Sequence, residues 1–404
     1  MVDALRSFAS RASRTLLRAV VAVLPESVIR ALLPPRYRYS PASVPPPPVP
    51  LATTVRLFVA PVNWAGQGTR WARAAERHLA DVGAVTMAYR LGGEFGHPVD
   101  LEVPVGAYVA SRRWQRSQRD AVLSGFTHVI IEAERAPFGA LTPDSVADQV
   151  RELIDHGVRV AMLCHGTDIR LPSRHAATHP DSPFAPGLMS TTPALERAAL
   201  ANRRLLDELG VTTFVSTPDL LSDVPTAEWL PLVVDTHQWA EAQPVLTREV
   251  PVVVHAPSRG IMKGSDLIDP AMRALDAEGL IEYRRLEGLR ADEMVHAISD
   301  ADIVLEQFRL GSYGVAGCEA LSTGRLVVGA VTDQVRDYVR AATGLELPIV
   351  QSAAADIESV IRRLVADREG SRRRAALGRE FVLAVHDGRR SADVLAPFLA
   401  APTV

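Results

Sequence analysis

From Val55 onward the chain alternates short apolar runs with amphipathic stretches, and it does so twice. Strands are predicted over 55–60, 128–133, 158–164 and 213–216, with helices over 69–82, 143–156 and 193–209. The pattern pauses near 235–247 and restarts at Val252. Strands then read over 252–255, 281–285, 303–306, 326–330 and 348–351, with helices over 266–278, 292–299, 315–322 and 334–342, and helices alone from Asp356. Strand–helix alternation implies a parallel sheet covered on both faces. A chain of 404 residues also exceeds what one compact core accommodates. The expectation is therefore α/β, with two doubly wound Rossmann-like domains over 51–240 and 241–404.

Residues 1–38 differ from this body. They hold seven arginines (Arg6, Arg11, Arg14, Arg18, Arg30, Arg36, Arg38) against Asp3 and Glu26. On a helical wheel Leu5, Phe8, Ala12, Leu16, Ala19 and Val23 face one way, and Arg11, Arg14 and Arg18 the other. Three readings fit this arm. A basic amphipathic helix suits an anionic membrane surface; a signal peptide has a similar charged start and short apolar middle; a structural helix would dock on the body. The apolar run 19–24 is far short of the ~20 residues needed to span a bilayer. Pro45–Pro48 make 39–50 a stiff linker. The net charge of −3 gives no basic field for nucleic acid. Cys164 and Cys318 lie far apart in apolar contexts, so a disulfide framework is excluded and a reducing cytoplasm expected.

Open α/β sheets bind ligands beyond the carboxyl ends of their strands, and four such loops stand out. The strongest contains Lys263, the only lysine among 44 basic residues. It precedes Gly264 at a strand-to-helix turn, where a compact ammonium and a helix N-terminus both favour phosphate. Arg259 lies four residues earlier, and two cations there could hold a diphosphate. A second loop, Gly311-Ser312-Tyr313-Gly314-Val315, opens a helix carrying Glu319, a carboxylate suited to a ribose diol. The third, Cys164-His165-Gly166-Thr167-Asp168-Ile169-Arg170, offers a histidine and an acid at a strand end. The fourth, Asn63-Trp64-Ala65-Gly66-Gln67-Gly68, has two glycines that permit close backbone approach. Asp300-Ala301-Asp302 has the form of a metal-binding DxD but precedes its strand, so it reads as a helix end and not a metal site.

In their order and spacing these segments, with Ser216-Thr217-Pro218-Asp219-Leu220 and Trp229-Leu230-Pro231, resemble the GT-B glycosyltransferases, specifically the family 4-like retaining enzymes that use nucleotide-sugar donors. The match runs roughly from Val55 to Ala330 and excludes the arm. The resemblance implies an acceptor-binding first domain, a donor-binding second domain and a cleft closing between them. It implies that Lys263 and Arg259 grip the diphosphate, with Ser258 and the backbone of Tyr313, Gly314 and Val315. Glu319 would hold the ribose, Gly66 would sit against the phosphates, and His165 would reach the sugar, with Asn63 and Asp168 as further sugar or acceptor contacts. Transfer would retain configuration and need neither cofactor nor metal. The acceptor would be a lipid-linked or cell-envelope glycan, met by a cytoplasmic enzyme lying on the inner face of the plasma membrane.

Two departures accompany the resemblance. Gly311 stands where such enzymes usually carry an acid, and Ser258 stands where the phosphate-binding arginine usually falls. Glu306 lies too far back along the sequence to replace that acid. The replaced acid motivates a second reading, a non-catalytic relative that binds a glycan or a protein as a scaffold. A nucleotide-sugar epimerase shares the fold and is a third.

Overall fold

The computed structural model describes residues 24–90, 96–140, 145–257 and 260–400. The chain forms two compact units. Among the described residues, one unit takes 24–72, 80–162 and 398–400, and the other takes 73–79 and 163–397. A seven-stranded sheet runs in the order β3-β2-β1-β4-β5-β6-β7. Its strands are β1 Val55–Ala60, β2 Val82–Arg90, β3 Leu101–Pro104, β4 His128–Glu132, β5 Arg159–Cys164, β6 Thr212–Val215 and β7 Glu228–Trp229. A five-stranded sheet runs β12-β11-β10-β8-β9, from β8 Val252–His255, β9 Glu282–Arg285, β10 Ile303–Leu305, β11 Leu326–Gly329 and β12 Val350–Gln351. β1 pairs parallel with β2 and β4, and β8 pairs parallel with β9 and β10. The α/β expectation of two parallel sheets holds.

Strand order reverses between β1 and β4 in the first sheet and between β8 and β10 in the second. Such switch points splay the following loops apart and leave a crevice at the carboxyl ends. The second sheet's core joins Val253, Ile303, Leu305 and Val328 to Ile268, Met272 and Leu275 of the Ser265–Ala277 helix and to Ile357, Val360 and Ile361. Each such side chain contributes roughly 1.5–3 kcal/mol on burial, which makes the strand ends around it a rigid base.

The expected helix over 69–82 is shorter: it spans Gln67–His78, and Val82 opens a strand the sequence reading missed. β2 is buried along Val82–Ala88 with no in–out alternation, because its neighbours cover both faces. β3 and the helices Val105–Ala110, Arg112–Gly125 and Pro172–Thr178 were also unread.

Residues 24–38 of the arm dock on the first unit. The Glu26–Leu32 helix buries Ile29 against Ala110, with Leu33 beside it. Glu26 accepts hydrogen bonds from Ser111 Oγ (3.2 Å) and the Arg113 amide (2.6 Å). Gly106 lies so close to the Tyr37 carbonyl that a Cβ would stand 1.9 Å from it. Residues 1–23, with Arg11, Arg14 and Arg18, lie outside the described residues. No helix among the described residues is long and apolar enough to cross a membrane.

Candidate functional site

Lys263 ends a short helix, Gly260–Lys263, that follows β8. The next residue, Gly264, has φ +77° and caps the Ser265–Ala277 helix. Only glycine suits that left-handed conformation at so crowded a point: a Cβ would come within 3.1 Å of Arg309 and 3.2 Å of Phe308. The Lys263 carbonyl accepts from the Phe308 amide (2.9 Å). His255, wholly buried at the end of β8, bonds Leu305 O through Nδ1 (2.9 Å) and Ser265 Oγ through Nε2 (2.8 Å). These bonds tie the lysine turn to the end of β10.

The residue beyond β10 is Glu306, and its Oε1 accepts from Lys263 Nζ in an ion pair. The carboxylate side chain is 2% exposed and the lysine 16%. Gly317 makes room for Glu306, and Gly314 and Gly329 lie at ordinary contact distance from it. A Cβ would stand 3.5 Å from Oε1 at Gly314, 2.9 Å from Cγ at Gly317 and 3.6 Å from Cβ at Gly329. Gly317 lies inside the Val315–Ser322 helix, where glycine costs roughly 1 kcal/mol relative to alanine. The cost is accepted to admit a carboxylate. Its second oxygen, Oε2, is buried with no hydrogen-bond partner among the described residues.

Glu306 thus joins Lys263 to the start of that helix. Gly314 is its N-cap and lays no side chain over the first-turn amides. Those amides and the helix dipole favour an anion, and Lys263 is tied through Glu306 to the same turn. The loop between is held from below: Gln307 Nε2 donates to Ser312 O (2.5 Å), and buried Arg309 pairs with Asp266 (2.6 Å). Tyr313 is buried, its hydroxyl 3.4 Å from His386 Nε2 and its ring edge-on to that imidazole. Burial pushes the Tyr313 hydroxyl well above its ordinary pKa. It is the backbone of Tyr313, not its side chain, that is left for a ligand. Glu319 lies half-buried on the same helix.

The His165–Arg170 turn is built around Asp168. Its carboxylate accepts from the amides of His165 (2.8 Å) and Gly166 (2.5 Å), and its carbonyl accepts from Asn202 Nδ2 (2.9 Å). Asp168 therefore shapes the turn that presents the half-buried His165. Arg170 pairs with Asp219 and Arg174 with Asp223. Burial alone would raise the Asp219 carboxyl, but the Arg170 guanidinium beside it holds it below its ordinary value.

At Gly311 the structure explains the departure from the expected acid. Its φ is +70°, and a Cβ would stand 2.5 Å from His179 Nε2 and 2.8 Å from Thr332 Cγ2. No side chain fits without displacing that ring. The Pro172–Thr178 helix brings His175 Nε2 to Leu310 O (3.3 Å) and leads into His179.

The first loop lies in the other unit. Asn63 (φ 63°) and Ala65 (φ 51°) are left-handed, an uncommon conformation for residues with a Cβ. The Asn63 amide donates to Glu132 Oε2 (3.0 Å), its Nδ2 to Pro98 O (3.0 Å), and its Oδ1 accepts from Thr69 N (2.9 Å). Gly66 admits the His97 ring and Gly68 the Glu132 carboxylate, at 3.2 and 2.8 Å from a would-be Cβ. Asn63, Gly66 and Gly68 thus hold the loop's own form. Ser258 and Arg259 lie outside the described residues.

Sequence reasoning missed Glu306, Arg309 and His179. Glu306 alone left a signal, an acid directly after the apolar strand 303–305, at a carboxyl edge.

No protein-family model matches the sequence, and no curated protein matches it. Solved structures do. Sucrose-phosphate synthase of Thermosynechococcus elongatus is 12% identical, with 84% of this chain and 97% of that one covered at a TM-score of 0.57. A glycosyltransferase from Rickettsia africae is also 12% identical (85% and 98% covered, TM-score 0.53). Anabaena HepE, solved in complex with UDP, is 10% identical (85% and 99% covered, TM-score 0.52). With its two parallel α/β sheets and with these neighbours, the chain has the fold of the GT-B glycosyltransferases.

Proposed function

We propose that this protein is a retaining, hexosyl-type glycosyltransferase that moves a sugar from a nucleotide-sugar donor to a lipid-linked or cell-envelope glycan. The observation that carries the reading is the Lys263–Glu306 pair, set at a switch point beside the glycine-lined start of the Val315–Ser322 helix. There the donor diphosphate takes the first-turn amides and the ammonium, together with Ser258 and Arg259. Glu319 holds the ribose, and His165 reaches the sugar from its Asp168-shaped turn. As the bond from the sugar to the diphosphate breaks, negative charge grows on the departing oxygen, where these groups stabilise it. The acceptor hydroxyl attacks the same face and its proton passes to that oxygen, so configuration is retained. Lys263 and the helix amides make the reaction metal-independent, and residues 51–240 receive the acceptor. The basic face of residues 1–23 holds the enzyme on an anionic cytoplasmic membrane surface.

Release of nucleoside diphosphate from a panel of nucleotide sugars, read by mass spectrometry, tests the reading. Lys263→Met should slow it by about 100-fold or more, and EDTA should leave it unchanged. An unaltered rate in the variant removes Lys263 from the reaction. One observation favours the scaffold alternative: Gly311 can carry no acid beside His179. Calorimetric titration with nucleotides separates the two, since a scaffold without donor chemistry gives no saturable heat.

A further inference from the structure

Glu306 occupies a position that already favours an anion. Its Oε1 holds Lys263 Nζ and lies 3.5 Å from where a Cβ of Gly314, the N-cap of the Val315–Ser322 helix, would stand. A carboxylate beside the positive end of a helix is stabilised by the helix dipole. The protein thus supplies its own anion to both features that favour phosphate, the ammonium and the helix start. The Glu306 side chain is 2% exposed, and Oε2 is buried with no hydrogen-bond partner among the described residues. A charge so enclosed is little screened by salt. Arg309, the next cation along the loop, does not offset it, being paired with Asp266 (2.6 Å). Lys263 and Glu306 together are therefore neutral.

A resident negative charge acts most on the ligand that carries the most charge. The diphosphate of a nucleotide sugar bears about two negative charges. The nucleoside diphosphate left after transfer bears about three once its terminal oxygen gives the acceptor's proton to water, because a phosphate monoester titrates a second time near pH 6. An ammonium and a helix start alone would hold that product most tightly of all. We propose that the buried Glu306 carboxylate opposes this order, weakening the site's hold on nucleoside diphosphate more than on nucleotide sugar and so hastening product release. This rests on the donor site proposed above. Repulsion of one further charge across a partly buried site corresponds to about tenfold in affinity. Glu306 acts through this field and through Lys263 without touching the ligand, as a positioning residue whose charge is the operative property.

Calorimetry on the full chain at about pH 7.5, where the terminal phosphate is ionised, tests this with uridine, guanosine and adenosine diphosphates, their β-methyl esters and their hexose esters. The methyl ester has the donor's charge without its sugar, so its comparison with the free diphosphate isolates charge. Wild type should bind the two within about threefold of one another. Glu306→Gln should favour the free diphosphate by about tenfold relative to wild type, and diphosphate should inhibit its turnover at a correspondingly lower concentration. Glu306→Asp, which keeps the charge, should preserve the wild-type ratio. A purely structural role would shift all three ligands alike. Such a uniform shift, an unchanged ratio in Glu306→Gln, or a wild type that prefers the free diphosphate by tenfold overturns the proposal and leaves the donor site standing. Diphosphate affinity unaltered in Lys263→Met, or no binding of any of these ligands, removes the donor site itself and the proposal with it.

Discussion

The Lys263–Glu306 pair allows stability and activity to be separated by a double-mutant cycle. Lys263→Met removes the only donor, among the described residues, to a carboxylate that is 2% exposed and whose other oxygen has no partner among them. Stranding a buried charge costs about 3–5 kcal/mol. Glu306→Gln leaves the ammonium, whose side chain keeps 16% of its surface in water, and should cost only about 1–2 kcal/mol. In the double variant neither charge remains, so stability should return to within about 1 kcal/mol of wild type. Urea unfolding followed by tryptophan fluorescence measures all four forms. Activity should not follow stability: the double variant should fold like wild type and still turn over about 100-fold more slowly, because its ammonium is gone. A double variant no more stable than Lys263→Met refutes the buried pair. A stable double variant with full turnover refutes the catalytic lysine.

Gly317→Ala should destabilise the protein, against the roughly 1 kcal/mol that helix propensity alone would gain, because the new methyl meets Glu306 Cγ at 2.9 Å; thermal melts give the sign. His128, His255 and His386 have pKa values lowered by burial to about 4, against about 6.5 when unfolded. The unfolded chain therefore binds more protons between those values, so stability is complete above pH 6.5 and falls as pH drops toward 4; melting temperature across that range checks it. The full chain should float with anionic liposomes, and reversing Arg11, Arg14 and Arg18 to Glu should abolish flotation while leaving the docked 24–38 segment in place. Equal flotation of both forms removes the membrane role of residues 1–23.

What the sequence disclosed was whatever short stretches determine. Lys263-Gly264 and Gly314-Val315 could be placed at helix starts because the turn chemistry lies in adjacent residues. The paired sheets followed from periodicity. Glu306 was set aside by counting positions along the chain. Its ion pair with Lys263 was not legible that way, because it arises from the pairing of β8 with β10, which sets the two strand ends side by side. His179 was invisible for a similar reason: nothing near residue 179 announces that its ring fills the space over Gly311. Asn63 and Asp168 were expected to contact sugar or acceptor because the resemblance implies it. Such residues at strand ends also build the turns themselves, and hydrogen bonds to neighbouring amides leave no mark in a sequence.

Having one lysine turns an ordinary reagent into a local probe. Amine-directed chemistry can modify only Lys263 and the α-amino group, so reductive methylation with labelled formaldehyde would give a single side-chain resonance. With its nitrogen held by Glu306, that amine should react slowly, and more slowly still when an anion covers it. The rate of one covalent modification thereby becomes a direct gauge of site occupancy, obtained without an acceptor or a turnover assay.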